Sequence, residues 1–397
     1  MRGRLARWIA RVPPHWRYAL LLFAVSRVAL TLLGLLALRV FDAAGLPRAD
    51  QAQMRRDQAA ISPHQWYSMW FAWDSFQYRN LAEVPWGHWE HLGFPLLYPA
   101  LGEAVAVPLG GHTEAALLLV ADAAYVVLLA YLYRWALLVL APAGRPGDPP
   151  DHRAARRTTR FLVLMPAAFL FHAALTESLF VCLAVVAFYH AERGRWLAAG
   201  VAGYFLALSR SLGFLVFVPL TLLLLRGHRP GPRAPAALAR AGWPLALVPA
   251  GWLTFMAYSR WRVGDWFAYQ HEQQRGWQIE VRDPLWTIWH GLSGATVPDR
   301  VRTLLALTVL ALAVAGVRRL HPAYAVYTVV LVLMSMSIGP PVYRSLLRYL
   351  LVAFPLAALL AGWAVRRAAE AALAALLACG QVVLFVLWIA YWTHTII

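Results

Sequence analysis

The sequence predicts an all-α polytopic membrane protein, and three observations carry that reading. The 397 residues are 61% hydrophobic and only 14% charged, against about 25% charged in an average soluble domain. Apolar stretches of about 15 to 28 residues recur along the whole chain, and a helix crosses the bilayer core in about 20 residues. The net charge of +17 comes from arginines, with no lysine anywhere, gathered in short segments between the apolar runs. That arrangement follows the positive-inside rule and not the pattern of a nucleic-acid-binding surface, so no nucleic-acid partner is expected.

Taken in order, Arg2, Arg4, Arg7, Arg11 and Arg17 precede a first span at about 17–41 and place the N-terminus in the cytoplasm. This run is too long for a signal-peptide core and lacks a clear small-residue cleavage site, so it is expected to remain as a span. Residues 42–112 then form a first extracytoplasmic loop. Its Trp, Tyr and His content predicts helices lying along the membrane interface. Within it, Phe94 to Leu109 is broken by Pro95, Pro99, Gly102, Glu103 and Pro108 and reads as re-entrant or interfacial.

Further spans are predicted at about 113–139, 160–176, 178–192, 196–209, 212–226, 242–260, 301–317, 323–338, 345–365 and 371–393, about eleven in all. This scheme returns Arg193, Arg195, Arg226, Arg318, Arg319, Arg366 and Arg367 to the cytoplasmic side, as the charge rule requires. Several spans between 160 and 226 are short, so one or two are expected to be half-helices that meet inside the protein. A second extracytoplasmic loop, 261–300, and the stretch Ile338–Tyr349 complete the outer face. The chain is read as one integral membrane domain over 1–397, multi-pass in the plasma membrane, with its chemistry on the outer side.

The candidate chemical groups lie in those outer segments. Asp74, in Trp73-Asp74-Ser75-Phe76-Gln77-Tyr78, either accepts a proton from a sugar hydroxyl or caps an interfacial helix. Arg344 and Arg348 are one helical turn apart and either grip a phosphate or snorkel to headgroups. Glu177 falls at a turn between two short spans, where it either orients a sugar or begins a helix. Arg27 and Asp122 reach roughly the same membrane depth and are expected to form a structural ion pair. The loop from Gly264 to Gln274, with His271, mixes aromatic and hydrogen-bonding groups as carbohydrate sites do. Cys182 and Cys379 lie far apart inside apolar runs, so neither a disulfide framework nor a zinc site is expected. No phosphate-binding loop, dinucleotide glycine pattern or His/Glu metal motif occurs in the sequence.

Together these segments resemble the PIG-V-type mannosyltransferases of GPI-anchor synthesis and their bacterial relatives, members of the GT-C class of membrane glycosyltransferases. The likeness spans nearly the whole chain. It rests on Trp73-Asp74-Ser75 with Tyr78, Phe94-Pro95-Leu96-Leu97-Tyr98-Pro99, Thr176-Glu177-Ser178-Leu179-Phe180, Leu208-Ser209-Arg210-Ser211-Leu212-Gly213, the Gly264-Asp265 loop with its aromatics, and Ser345-Leu346-Leu347-Arg348-Tyr349 followed by Phe354-Pro355-Leu356. Leu175-Thr176 replaces the family's usual Tyr-Ser, and Ser211 stands where Pro is common. The resemblance implies a GT-C fold and a polyprenyl or dolichyl phosphate sugar, most often mannose, as donor, used on the outer face. A glycolipid or glycan would be the acceptor, with no separate cofactor and no metal. It further implies Asp74 as base, with Arg348, Arg344 and Arg210 on the donor phosphate. Trp73, Tyr78, Glu177, His271 and Tyr349 would contact substrate. A transporter or flippase of a lipid-linked sugar is the alternative; polar residues gathered at the outer face and the lack of an internal repeat favour the enzyme.

Overall fold

The structure is a computed structural model that describes residues 12–45, 52–89, 91–140, 151–227, 234–293, 296–338 and 345–390. Arg2, Arg4, Arg7, Arg11 and Arg344, all named above, lie outside the described residues. Among those residues the chain is helical, with no β-strand.

In chain order the helices are α1 (Pro14–Ala43), α2 (Ala52–Ile61), α3 (Gln65–Ser68), α4 (Asp74–Glu83), α5 (Leu97–Ala106) and α6 (Thr113–Val139). Then come α7 (His152–Leu164), α8 (Glu177–Glu192), α9 (Trp196–Ser209), α10 (Phe217–Arg226), α11 (Ala234–Gly242) and α12 (Leu247–Val263). The last group is α13 (Ala268–Trp277), α14 (Pro284–Ser293), α15 (Val297–Gly316), α16 (Pro322–Met336), α17 (Leu346–Leu351), α18 (Pro355–Trp363) and α19 (Arg367–Ile389).

α1, α6 and α19 are each long and apolar enough to cross a bilayer. α1 buries Ala19, Leu30, Gly34, Ala37 and Leu38 and leaves Leu20, Leu21, Val25, Val28, Leu32 and Leu36 exposed. An apolar face of that length is a liability in water and is solvated in lipid. The chain is a membrane protein. Shorter helices fill the interior: α8 is buried along almost its whole length between α6 and α9, and α9 in turn packs on α12.

The α9–α12 crossing is close because glycines line it. A Cβ on Gly200 would lie 2.1 Å from the Pro244 carbonyl oxygen, and one on Gly251 would lie 2.3 Å from that of Tyr204. Small residues let helix backbones approach where lipid offers no hydrophobic drive for association.

Helices occupy most of the predicted spans, with two corrections. Residues 160–176 are not one helix. α7 ends at Leu164, where Met165 turns extended ahead of Pro166, and a 3₁₀ turn at Ala168–His172 follows before an irregular approach to α8. Residue 165 precedes a proline and is pushed out of the helical region by the ring. The predicted span 345–365 is likewise split into α17 and α18 around Val352–Phe354, just before Pro355. Such breaks are tolerated because protein, not lipid, surrounds them. α5, the stretch read as re-entrant or interfacial, has 10 residues, about 15 Å, too short to cross, and packs along α6. The Arg27–Asp122 pair forms at 3.4 Å.

Candidate active site

The site begins with a loop that three separate elements hold in place. The backbone carbonyls of residues 69–71 are satisfied by no helix or sheet ladder, and each finds a donor elsewhere. Trp388 Nε1 donates to the Met69 carbonyl at 3.2 Å, Ala174 N to that of Trp70 at 3.0 Å, and Gln58 Nε2 to that of Phe71 at 2.6 Å. From below, the Arg27 guanidinium stacks 4.5 Å from the Trp70 ring while its Nη1 donates to the His172 carbonyl at 2.6 Å. The intramembrane pair therefore props the loop.

That loop ends in a strained residue. Trp73 has φ 48° and ψ −111°, a conformation that costs a non-glycine residue about 1–3 kcal/mol and is kept where surrounding contacts over-determine it. Its ring packs edge-on against Trp388, with centroids 4.6 Å apart. Asp74 follows as the first residue of α4, where the helix dipole favours a negative charge.

Three other elements deliver the groups that face Asp74. Glu177 is the first residue of α8 and is fully buried. Arg210 ends α9 in extended backbone, φ −154° and ψ 150°. The chain then turns so tightly that a Cβ on Gly213 would lie 2.1 Å from the Leu206 carbonyl oxygen. Arg348 comes from the short helix α17.

The four charges form one continuous array. Arg348 Nη1 donates to Asp74 Oδ2 at 2.7 Å, and Arg348 Nε donates to Glu177 Oε1 at 2.6 Å. Arg210 Nη1 donates to the same Glu177 oxygen at 2.6 Å. Two carboxylates and two guanidiniums balance to zero net charge. Glu177 and Arg348 are almost entirely out of solvent, whereas the Asp74 side chain retains 25% of its exposure. Buried ions of this kind persist when paired and hydrogen-bonded, and Glu177 serves as a common anchor for both arginines.

Asp74, Trp73, Tyr78, Arg210, Arg348 and Tyr349 line a single cavity of about 480 Å³, within the roughly 300–1,000 Å³ range of small-molecule sites. Tyr349 stacks under Arg210 at 5.3 Å. The Tyr78 hydroxyl lies 3.5 Å from Thr176 Oγ1, its ring set edge-on against Phe94 and Tyr98. Burial pushes the Tyr78 phenol well above its ordinary range, so it stays protonated.

Glu177 stands directly behind the two arginines. His271 does not line the cavity: it lies on the exposed side of α13, with Nδ1 2.6 Å from Asp265 Oδ2, a contact that draws the Asp265 carboxyl below the usual carboxylate range. Tyr269 and Gln273 face the cavity from the same helix.

The cavity is also lined by residues that the sequence does not single out: Trp277 at the end of α13, Gln278 and Ile279 after it, and Trp388 of α19. The signal available for Gln278 is indirect, a helix C-terminus without glycine. It adopts φ 54° and ψ 35°, a left-handed position usually given to Gly or Asn.

The fold can now be compared with known structures. The chain is similar to ArnT from Cupriavidus metallidurans, solved bound to undecaprenyl phosphate, with a TM-score of 0.52 and 12% identity. The match covers 81% of this chain and 61% of that one. The fold is GT-C. At this identity the GT-C likeness speaks for architecture, and the chain spans only about three fifths of the neighbour's length. No protein-family model and no curated protein sequence matches the chain.

Proposed function

We propose that this chain is an inverting glycosyltransferase that moves a sugar from a polyprenyl phosphate donor to a hydroxyl of a glycolipid or glycan on the non-cytoplasmic face of the membrane. The observation that carries this reading is the pairing of a cavity carboxylate, Asp74, with two guanidiniums held on one buried glutamate. The GT-C fold and the undecaprenyl phosphate bound to the structural neighbour support a lipid-phosphate donor. Mannose as the sugar rests on the PIG-V-type resemblance of the motifs.

In this mechanism the acceptor oxygen attacks the anomeric carbon and Asp74 takes its proton. The bond from that carbon to the phosphate oxygen breaks on the opposite face, and its electron pair leaves with the polyprenyl phosphate. Negative charge grows on the departing phosphate as the bond stretches, and Arg348 and Arg210 stabilise that charge. The donor carries its own activation, so the reaction needs no ATP. The two guanidiniums do the work that a divalent metal would otherwise do at a leaving phosphate.

Charge supports this orientation. α8 runs about 24 Å from Glu177 to an opposite end where Arg226 pairs with Glu192 at 2.6 Å. The positive-inside rule assigns that arginine-bearing end to the cytoplasm and the cavity to the other side.

The deciding experiment incubates purified protein with radiolabelled polyprenyl phosphate mannose and a panel of membrane glycolipid extracts, comparing wild type with Asp74→Asn. Transfer by wild type that falls at least about a hundredfold in the variant is expected. A fully active Asp74→Asn protein would sink the mechanism, and donor binding without transfer to any extract would favour a transporter or another sugar.

A further inference from the structure

Arg348 is engaged twice. Its Nε is fixed to Glu177, which has no solvent exposure, while its Nη1 reaches the half-buried Asp74 at the cavity wall. The first contact lies behind the cavity and the second lies on its surface, so an anion entering the cavity meets the second alone. Arg210 shares the Glu177 oxygen and stands beside Arg348, so a phosphate between the two guanidiniums could be gripped by both. Such a phosphate and the Asp74 carboxylate would compete for the same N–H.

We infer that the donor phosphate displaces Asp74 from Arg348 on a guanidinium that Glu177 keeps in place, so that the base is released only once the donor is bound. Glu177 is then a positioning residue, holding the arginine while its partner changes.

Charge counting supports the exchange. The four-residue array is neutral by itself, so a phosphodiester adds one negative charge, and the carboxylate that was paired becomes the one that is not. While Asp74 Oδ2 accepts from Arg348 Nη1 it is not open to an acceptor hydroxyl, and displacement by the phosphate frees it. The site therefore gains its base at the moment a sugar is present to be transferred, and the acceptor is bound productively second.

The inference rests on the proposed donor class, and its test separates the two. Binding of undecaprenyl phosphate, with uncharged undecaprenol as control, is measured in detergent for wild type, Asp74→Asn and Asp74→Ser. Their melting curves report folding. Removing the competing carboxylate, although it abolishes transfer, should tighten undecaprenyl phosphate binding about tenfold and leave undecaprenol binding unchanged. Folded neutral variants that bind the phosphate no better than wild type overturn the inference alone. Wild type that binds no polyprenyl phosphate overturns both the inference and the donor class on which it stands.

Discussion

Asp74 and Arg348 meet at 2.7 Å across 274 positions of sequence, so the proton acceptor and the phosphate ligand of the proposed reaction begin as an ion pair. The geometry needs a guanidinium in particular, because one side chain must place Nε on Glu177 and Nη1 on Asp74. Lysine has a single ammonium and cannot span both. Arg348→Lys should fold and lose at least about tenfold in kcat/KM. Arg348→Ala leaves Glu177 with Arg210 as its one cation and should destabilise the fold, read as a lower melting temperature. Arg348→Lys at wild-type activity would show that only the charge matters.

The turn after Arg210 is predicted to be intolerant of any side chain. A Cβ on Gly213 would overlap the Leu206 carbonyl, whereas one on Gly227 would meet the Leu224 carbonyl oxygen at an ordinary 3.6 Å. Gly213→Ala should therefore shift Arg210 and reduce transfer at least about tenfold. Gly227→Ala should leave activity alone. Equal activity of the two variants in one membrane preparation would remove Arg210 from the site.

Gln278→Gly should separate stability from function. Glycine removes the cost of a left-handed backbone, about 1–2 kcal/mol, and gives part of it back as unfolded-state entropy. The melting temperature is expected to rise while transfer falls, because the amide that lines the cavity is lost. A variant that is both more stable and fully active would show that the amide touches no substrate.

Chelation provides a fourth check. Arg210 and Arg348 place two positive charges where the leaving phosphate needs them, so transfer should be unchanged by EDTA. Loss of activity on chelation, restored by one divalent cation, would mean that the arginines do not suffice.

Much of this site is legible in the sequence because charge is conspicuous in an apolar chain. Asp74, Glu177, Arg210 and Arg348 stand out by being ionised near a membrane surface, and the matched depth of Arg27 and Asp122 anticipates their contact. What the sequence hides is which groups touch. Of the two readings of Glu177, the structure shows the helix start: it begins α8 at the favourable end of the dipole, is buried off the cavity surface, and anchors two arginines, a role neither reading named.

His271 was drawn toward the site by its neighbours, and helical geometry turns it away. Tyr269 and Gln273, four residues apart, share the cavity face of α13, while a residue two positions along points roughly 200° round the helix. Trp388 gives no warning because a tryptophan near the end of an apolar span is indistinguishable from an interfacial anchor. The split of 160–176 was marked by Pro166, which the apolar run concealed.

The hydrogen bond from Trp388 to Met69 joins positions 319 residues apart, and the loop it steadies leads into Asp74, the proposed base. During synthesis the first loop is complete long before α19 leaves the ribosome. A partly made chain, with α19 still absent, lacks the Trp388 donor that the Met69 carbonyl uses. The loop ahead of Asp74 is thus fully braced only once α19 has been made and packed against it.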